Sequence, residues 1–170
     1  MKEDVPISPI TPSDYSAVEK YYAMLGESTK KRFAPHAFNR NTLHYLFEST
    51  SIHWAYLAKV AKSIIGYAVL RRGIPDHDLP RMDAYGLTCD QSDCLFAPSI
   101  ADHWQNKGIG HRIFETVLDN LPTRGIKRVF LWGGVQATNH QAVRYYDKLG
   151  FQELGSFEYH GMNYDMILKL

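Results

Sequence analysis

The clearest chemistry in the sequence lies in Gln105-Asn106-Lys107-Gly108-Ile109-Gly110. This stretch follows an apolar run ending near Ile100 and opens a helical pattern. Ile109, Ile113, Phe114, Val117, Leu118 and Leu121 fall on one side of the spiral, and Pro122 and Gly125 stop it. The first turn of a helix carries backbone N–H groups with no partner inside the helix. The macrodipole adds partial positive charge at the same end. Strand, Gly-rich turn and helix in that order make an anion site, with phosphate the usual guest. Gly108 and Gly110 lack Cβ atoms and let a bulky anion approach the backbone, and Lys107 adds charge from the rim. Two glycines also suit a plain turn, so this stretch alone points to phosphate and no further. The dinucleotide fingerprint is missing, because Ile113 stands at the third glycine position. No Gly-Lys-Ser/Thr of a Walker loop follows either.

The elements that must hold this turn can be read in outline. Residues 5–10 suggest a short edge strand, broken by Pro6 and Pro9. Thr11-Pro12-Ser13-Asp14 is a helix start, with Tyr15, Val18, Tyr22 and Leu25 on one face and Gly26 as the stop. Residues 27–32 suggest a second short helix. Residues 33–38 form a loop carrying two phenylalanines and His36, and Asn41 is expected to cap a third helix that buries Leu43, Leu46 and Phe47. Residues 52–61 and 63–71 read as two strands around a tight turn, with Gly66 marking a bulge or a close approach. Residues 73–89, punctuated by Pro75, Pro80 and Gly86, look irregular, and their Asp76-His77-Asp78 run reads as solvated loop.

Residues 94–100 are the strand before the Gly-rich turn. Val129, Phe130, Leu131 and Trp132 form a continuous apolar run, as in a central strand covered on both faces. Thr138-Asn139 starts another helix, in which Asn139, Ala142, Tyr146 and Leu149 share a face, and Gly150 ends it. The tail reads as a hairpin turning at His160-Gly161, with Tyr164, Met166, Leu168 and Leu170 alternating inward. The expected fold is α/β: one domain, residues 1–170, built on a central mixed sheet flanked by helices.

Composition excludes several classes. A net charge of +1 lacks the basic excess of a dedicated nucleic-acid binder. The two cysteines, Cys89 and Cys94, are too few for a disulfide scaffold and lack zinc-ligand company. They suit a reduced, cytoplasmic setting. The N-terminal Met1-Lys2-Glu3-Asp4 is charged, and neither a signal peptide nor a membrane span is visible.

Two motifs then become specific together. Ile100-x-x-x-x-Gln105-x-x-Gly108-x-Gly110 resembles the pyrophosphate-binding motif of the GNAT family of acetyl-CoA-dependent N-acetyltransferases. Asn139-x-x-Ala142-x-x-x-Tyr146-x-Lys148-Leu149-Gly150-Phe151 is similar to that family's next helix. The resemblance covers most of the chain and is loosest in the N-terminal third. Asn106 stands where glycine is commoner, although asparagine tolerates the left-handed region.

The resemblance implies a GNAT-like fold, acetyl-CoA as co-substrate, and no metal. The pyrophosphate would sit on the amides of Gln105, Asn106, Lys107, Gly108, Ile109 and Gly110. The pantetheine arm would pair like an extra strand along Ala97, Pro98, Ser99 and Ile100. Asn139 would cap its helix or reach the arm, and Ala142 would lie beside it. Tyr146 would stand at the sulfur and protonate the leaving thiolate, a phenol of pKa about 10 against a thiol of about 8.5. Asp93, with Asp90 beside it, is a candidate base for the acceptor amine, and a structural role is equally open to it. In the family, residues 33–38 would cover the acceptor pocket, with His36 either packed there or in contact with the acceptor. The expected acceptor is a small primary amine attacked in a ternary complex. A protein N-terminus or lysine is an alternative, as is a non-catalytic acyl-CoA sensor. Neither a membrane nor a nucleic acid is expected as partner. Similar proteins are often homodimers.

Overall fold

The computed structural model describes residues 5–170, so Met1-Lys2-Glu3-Asp4 lie outside the described residues. The chain divides into two compact units, Met1–Leu70 with Ala97–Asn120, and Arg71–Phe96 with Leu121–Leu170.

The first unit begins with β1 (Ile7–Pro9), antiparallel to β2 (His53–Val60). Thr11 and Asp14 then organise the start of α1 (Tyr15–Met24). The Thr11 N–H and hydroxyl both donate to Asp14 Oδ2, at 2.9 and 3.0 Å, and Lys59 Nζ donates to Asp14 Oδ1 at 2.6 Å. α1 buries Tyr15, Val18 and Tyr21, so the inward face runs through Tyr21 rather than Tyr22. Gly26 directly follows Leu25, the C-cap of α1, as expected of a stop. Its φ is −64°, and it is the N-cap of α2 (Glu27–Arg32). α3 (Arg40–His44) is capped by Asn39 instead of Asn41, with Asn39 Oδ1 accepting from the Thr42 N–H at 2.9 Å. A π-helical turn, Tyr45–Ser49, continues it.

β3 (Ser63–Arg72) follows β2 through a tight turn in which Ala61 takes a φ of 52°. The later half of β4 (Asp93–Ile100) also belongs to this unit. So does α5 (Ile109–Asn120), which buries Ile109, Ile113, Phe114 and Val117 and packs on β1 and β2. Gly66, in β3, permits that packing. A Cβ there would meet Ile113 Cδ1 at 2.8 Å, Ile100 Cδ1 at 3.0 Å and the Ala58 Cβ at 3.3 Å.

In the second unit the first residues of β4 pair in parallel with β5 (Arg128–Leu131). β5 pairs antiparallel with β8 (Met162–Lys169), which also pairs with β6 (Val135–Gln136) and β7 (Gln152–Glu158). β6 was not expected from the sequence. α6 (His140–Lys148) closes in a Schellman arrangement. The Gly150 N–H donates to the Asp147 carbonyl at 3.0 Å, the Phe151 N–H donates to the Tyr146 carbonyl at 3.1 Å, and Gly150 has a φ of 91°.

Two expectations for this unit need correction, and they have one cause. Residues 73–89 are not simply irregular, because they contain α4 (Leu79–Ala84). Pro80, read as a breaker, sits in the first helical turn, where its missing N–H costs nothing. Met82 of α4 packs with Ile74, Leu95, Phe130 and Ile167. Arg81 donates through Nε and Nη2 to Asp165, and the Tyr85 hydroxyl donates to the same carboxylate at 2.8 Å. The expected inward alternation of Tyr164, Met166, Leu168 and Leu170 therefore fails. Asp165, Met166 and Ile167 are all buried, whereas Leu170 is exposed. β8 is an interior strand, and the alternation rule describes a sheet wet on one side.

The strand order is β1-β2-β3-β4-β5-β8-β6, and β7, paired to β8 off this path, makes it an eight-stranded mixed sheet with helices around it. No helix of the described residues is long and apolar enough to cross a membrane.

Gly66→Ala should destabilise the protein by about 1–2 kcal/mol in denaturant titration, the usual cost of overpacking. Adding Ile113→Val, which removes the obstructing methyl, should recover part of that loss. Purely additive losses would show that the Cβ is accommodated elsewhere.

Candidate active site

The head of α5 is the site's best-defined feature. Gly108 has a φ of 81°, and a Cβ there would meet nothing within 4 Å. Its carbonyl accepts from the Arg112 N–H at 3.2 Å, so Gly108 is the first residue tied into the helix. Asn106 takes a φ of 60° and does in the left-handed region what glycine would do. Asn106, Lys107 and Gly108 are exposed, while Ile109 is buried. Among the described residues no acceptor is found for the backbone N–H groups of Lys107, Gly108 and Ile109. An exposed helix end with amides to spare suits an anion.

Two expected side chains are occupied by the protein itself. Gln105 Nε2 donates to the Ile100 carbonyl at 3.2 Å and to the Thr29 hydroxyl at 3.4 Å. Lys107 Nζ lies 4.9 Å from the centroid of the Trp104 ring, a cation–π distance. On β4, Ala97 and Ser99 are buried while Pro98 and Ile100 are partly exposed. The Ser99 hydroxyl shares a 2.9 Å hydrogen bond with that of Tyr21. Pro98 has no N–H and offers a strand-like partner only its carbonyl.

The loop over residues 33–38 is packed in the same unit. Phe38 stacks on Tyr22 at 4.1 Å, and Phe33 and Phe38 both meet the edge or face of Tyr67. His36 Nδ1 donates to the Ala37 carbonyl at 2.9 Å, which leaves Nε2 to accept from the Tyr67 hydroxyl at 2.7 Å. Burial pushes the His36 pKa down, so the ring is held neutral. Both nitrogens are engaged, and His36 acts as a latch for the loop. Sequence reasoning could not see its partner, which lies 31 residues away.

The remaining expected residues fall in the second unit. Asn139 Oδ1 accepts from the Ala142 N–H at 3.3 Å, so Asn139 caps α6. Tyr146 is buried at 9% exposure, with its ring against Tyr145 and Phe151. No hydrogen bond of its hydroxyl is found among the described residues. Burial, then the neighbouring Tyr145, pushes its pKa well above the ordinary phenol value. That widens the gap to a thiol and keeps the hydroxyl protonated, so it is suited to donating a hydrogen bond.

Asp93 lies differently from what a base requires. It is fully buried, and Arg128 grips it with two bonds, Nε to Oδ1 at 2.6 Å and Nη2 to Oδ2 at 2.8 Å. The Asp90 N–H adds a third at 2.8 Å. This geometry speaks for the structural reading of Asp93 and against the base role. Asp90 is occupied as well, accepting from the Ser92 N–H and hydroxyl at 2.6 Å each. Cys94 is buried, and desolvation followed by the charge of Asp93 pushes its thiol up to about 12, which removes the thiolate a covalent route needs.

Residues 18–151 match the acetyltransferase (GNAT) family, and the chain belongs to it. Over 75 residues it is 37% identical to the ribosomal protein bS18-alanine N-acetyltransferase of Salmonella typhimurium, a stretch covering 43% of this chain and 49% of that protein. The chain thus spans about half the length of the curated relatives it matches. The GNAT domain of S. lividans PAT shares the fold at a TM-score of 0.78 and 18% identity, over 98% of this chain and 90% of that one. The aminoglycoside acetyltransferase AAC(6')-Ib, solved with coenzyme A and kanamycin, does so at 0.72 and 18%, over 98% and 95%.

Arg128→Met should leave the Asp93 carboxylate buried without its partner and cost about 3–5 kcal/mol in thermal or chemical unfolding. The double variant with Asp93→Leu should be less damaging than Arg128→Met alone. Strict additivity would show that the two side chains do not act as a pair.

Proposed function

We propose that this protein is an N-acetyltransferase that moves an acetyl group from acetyl-CoA to a primary amine by direct attack in a ternary complex. The observation that carries the reading is the head of α5, where Lys107 and Gly108 are exposed and the amides of Lys107, Gly108 and Ile109 are left without acceptors among the described residues. Family membership supports acetyl-CoA as the donor.

Each residue then has a physical task. The amides of Lys107, Gly108 and Ile109 take the diphosphate, helped by the helix dipole, whereas the Gln105 N–H is already given to the Asp102 carbonyl at 3.4 Å. Gly108, open on its Cβ side, leaves room for it. The backbone of Ala97, Pro98, Ser99 and Ile100 takes the pantetheine arm as an added strand. Asn139 and Ala142 set the first turn of α6, from which Tyr146 projects one helical stretch later. The bond that forms joins the amine nitrogen to the acetyl carbon, and the bond that breaks is the thioester C–S. The Tyr146 hydroxyl donates to the departing sulfur. Its raised pKa keeps the proton on the phenol, so the donation is a hydrogen bond that stabilises the departing thiolate, which then takes its proton from water. The amine arrives neutral or loses its proton to water, since the carboxylates of Asp93 and Asp90 are taken.

The acceptor is a small amine in the first reading. A second reading, a protein α-amine, is favoured by the likeness to the ribosomal protein alanine acetyltransferase of S. typhimurium. Thiol release from acetyl-CoA, measured against a panel of small amines and against peptides with free N-termini, separates the two.

Calorimetric titration should show coenzyme A binding that Gly108→Glu abolishes, because a carboxylate in the turn repels the diphosphate. Binding that survives would remove the turn from the site. Tyr146→Phe should lower turnover about 10²-fold with donor affinity nearly unchanged. An unchanged rate would remove Tyr146 from the mechanism.

A further inference from the structure

α2 is tied to α1 at its far end, where Lys30 Nζ donates to the Ala23 carbonyl at 3.2 Å and lies 5.7 Å from the centroid of the Tyr22 ring. It is six residues long, and none of them is buried. A helix that short does not hold in water by propensity, because nucleation is costly and few bonds follow. Its N-cap is Gly26, which has no side chain to accept from the first turn.

The missing cap comes from another part of the chain. Asp102 lies between β4 and the Gly-rich turn. Its Oδ2 accepts from the Gly26 N–H at 2.7 Å, and its Oδ1 accepts from the Thr29 hydroxyl at 2.6 Å. Gln105, three residues on, donates from Nε2 to the same Thr29 hydroxyl at 3.4 Å. The first turn of α2 is therefore held by side chains of the segment that presents the α5 amides. Gly26 fits this arrangement. Its φ and ψ, −64° and 155°, suit any residue. What it supplies is space, since a Cβ would come within 3.3 and 3.4 Å of the two Asp102 oxygens.

We propose that Asp102 is a positioning residue that couples occupancy of the Gly-rich turn to the order of α2 and of residues 33–38 behind it. The proposal rests on the reading of that turn as the diphosphate site. An anion on the amides of Lys107, Gly108 and Ile109 fixes the short segment that also carries Asp102. The entropy of holding the carboxylate against α2 is then already spent, so the capped state gains population. α2 runs directly into the loop latched by His36 on Tyr67 and by Phe38 on Tyr22. Loading the donor thus orders the segment that the family places over the acceptor. By linkage, an ordered α2 tightens donor binding by the same factor.

Amide hydrogen exchange on the full chain, with and without saturating coenzyme A, tests this. In the unsubstituted protein coenzyme A should slow exchange across residues 26–38 by about fivefold or more. In Asp102→Ala that slowing should vanish while exchange near residues 107–110 still slows, and affinity should fall by no more than the same factor. Should Asp102→Ala fail to fold, Thr29→Val leaves every residue of the turn unsubstituted while removing the hydroxyl that Asp102 and Gln105 share, and should reduce the slowing. Slowing that persists unchanged in the variants would overturn the coupling. So would its absence in the unsubstituted protein despite slowing at residues 107–110. If coenzyme A does not bind the unsubstituted protein at all, the reading of the turn falls first and the coupling with it.

Discussion

A helix end must find partners for its first amides, and at the head of α5 the described protein supplies none for Lys107, Gly108 and Ile109. What keeps this arrangement in place is burial just behind it. Ile109, Ile113, Phe114 and Val117 fix α5 in the core of the first unit. Gly66 gives up a side chain so that Ile113 can lie close to β3. On the other side β4 delivers the chain to the turn, and Asn106 and Gly108, both at positive φ, redirect it. The polar turn is thus held by apolar packing on one flank and by backbone conformation on the other. The side-chain amide of Gln105 is spent inside, on Ile100 and Thr29, so the backbone is left to face an anion.

The second unit shows a different economy. Its buried carboxylates, Asp93 and Asp165, are spent on structure. Arg128 neutralises the buried Asp93 beside the start of β5, and Arg81 with Tyr85 satisfies Asp165 in the middle of β8. Each pair costs desolvation, which is offset because every carboxylate oxygen finds a donor. Against that background Tyr146 stands out. It is a buried phenol with aromatic neighbours, no hydrogen bond found for its hydroxyl among the described residues, and a pKa raised by burial.

Much of this was legible in the sequence because the signals were local. The Thr11–Asp14 box, the Ile109–Val117 stripe, the Asn139 cap and the Gly150 stop each lie within about one or two helical turns, where spacing and residue type decide the outcome. The failures are long-range. Gly26 marked the end of α1, but its second role as the N-cap of α2 stayed hidden because its partner Asp102 is 76 residues away. The α4 helix hid behind Pro80, which breaks helices everywhere except in the first turn. The alternation read into β8 failed because α4, unforeseen, brought partners that let Asp165 be buried. Of the two roles open to Asp93, the structural one is favoured by Arg128, which stands opposite it in the β4–β5 register, a partner 35 residues away that spacing did not show. Sequence spacing shows which groups can do chemistry, and the packing shows which of them are still available.

The central claim is that the amides at the head of α5 grip a diphosphate. Backbone amide chemical shifts, followed residue by residue while coenzyme A is titrated, test it most directly. The account predicts that Lys107, Gly108 and Ile109 shift most and saturate together. Saturable binding that leaves these amides unmoved while other residues respond would contradict it.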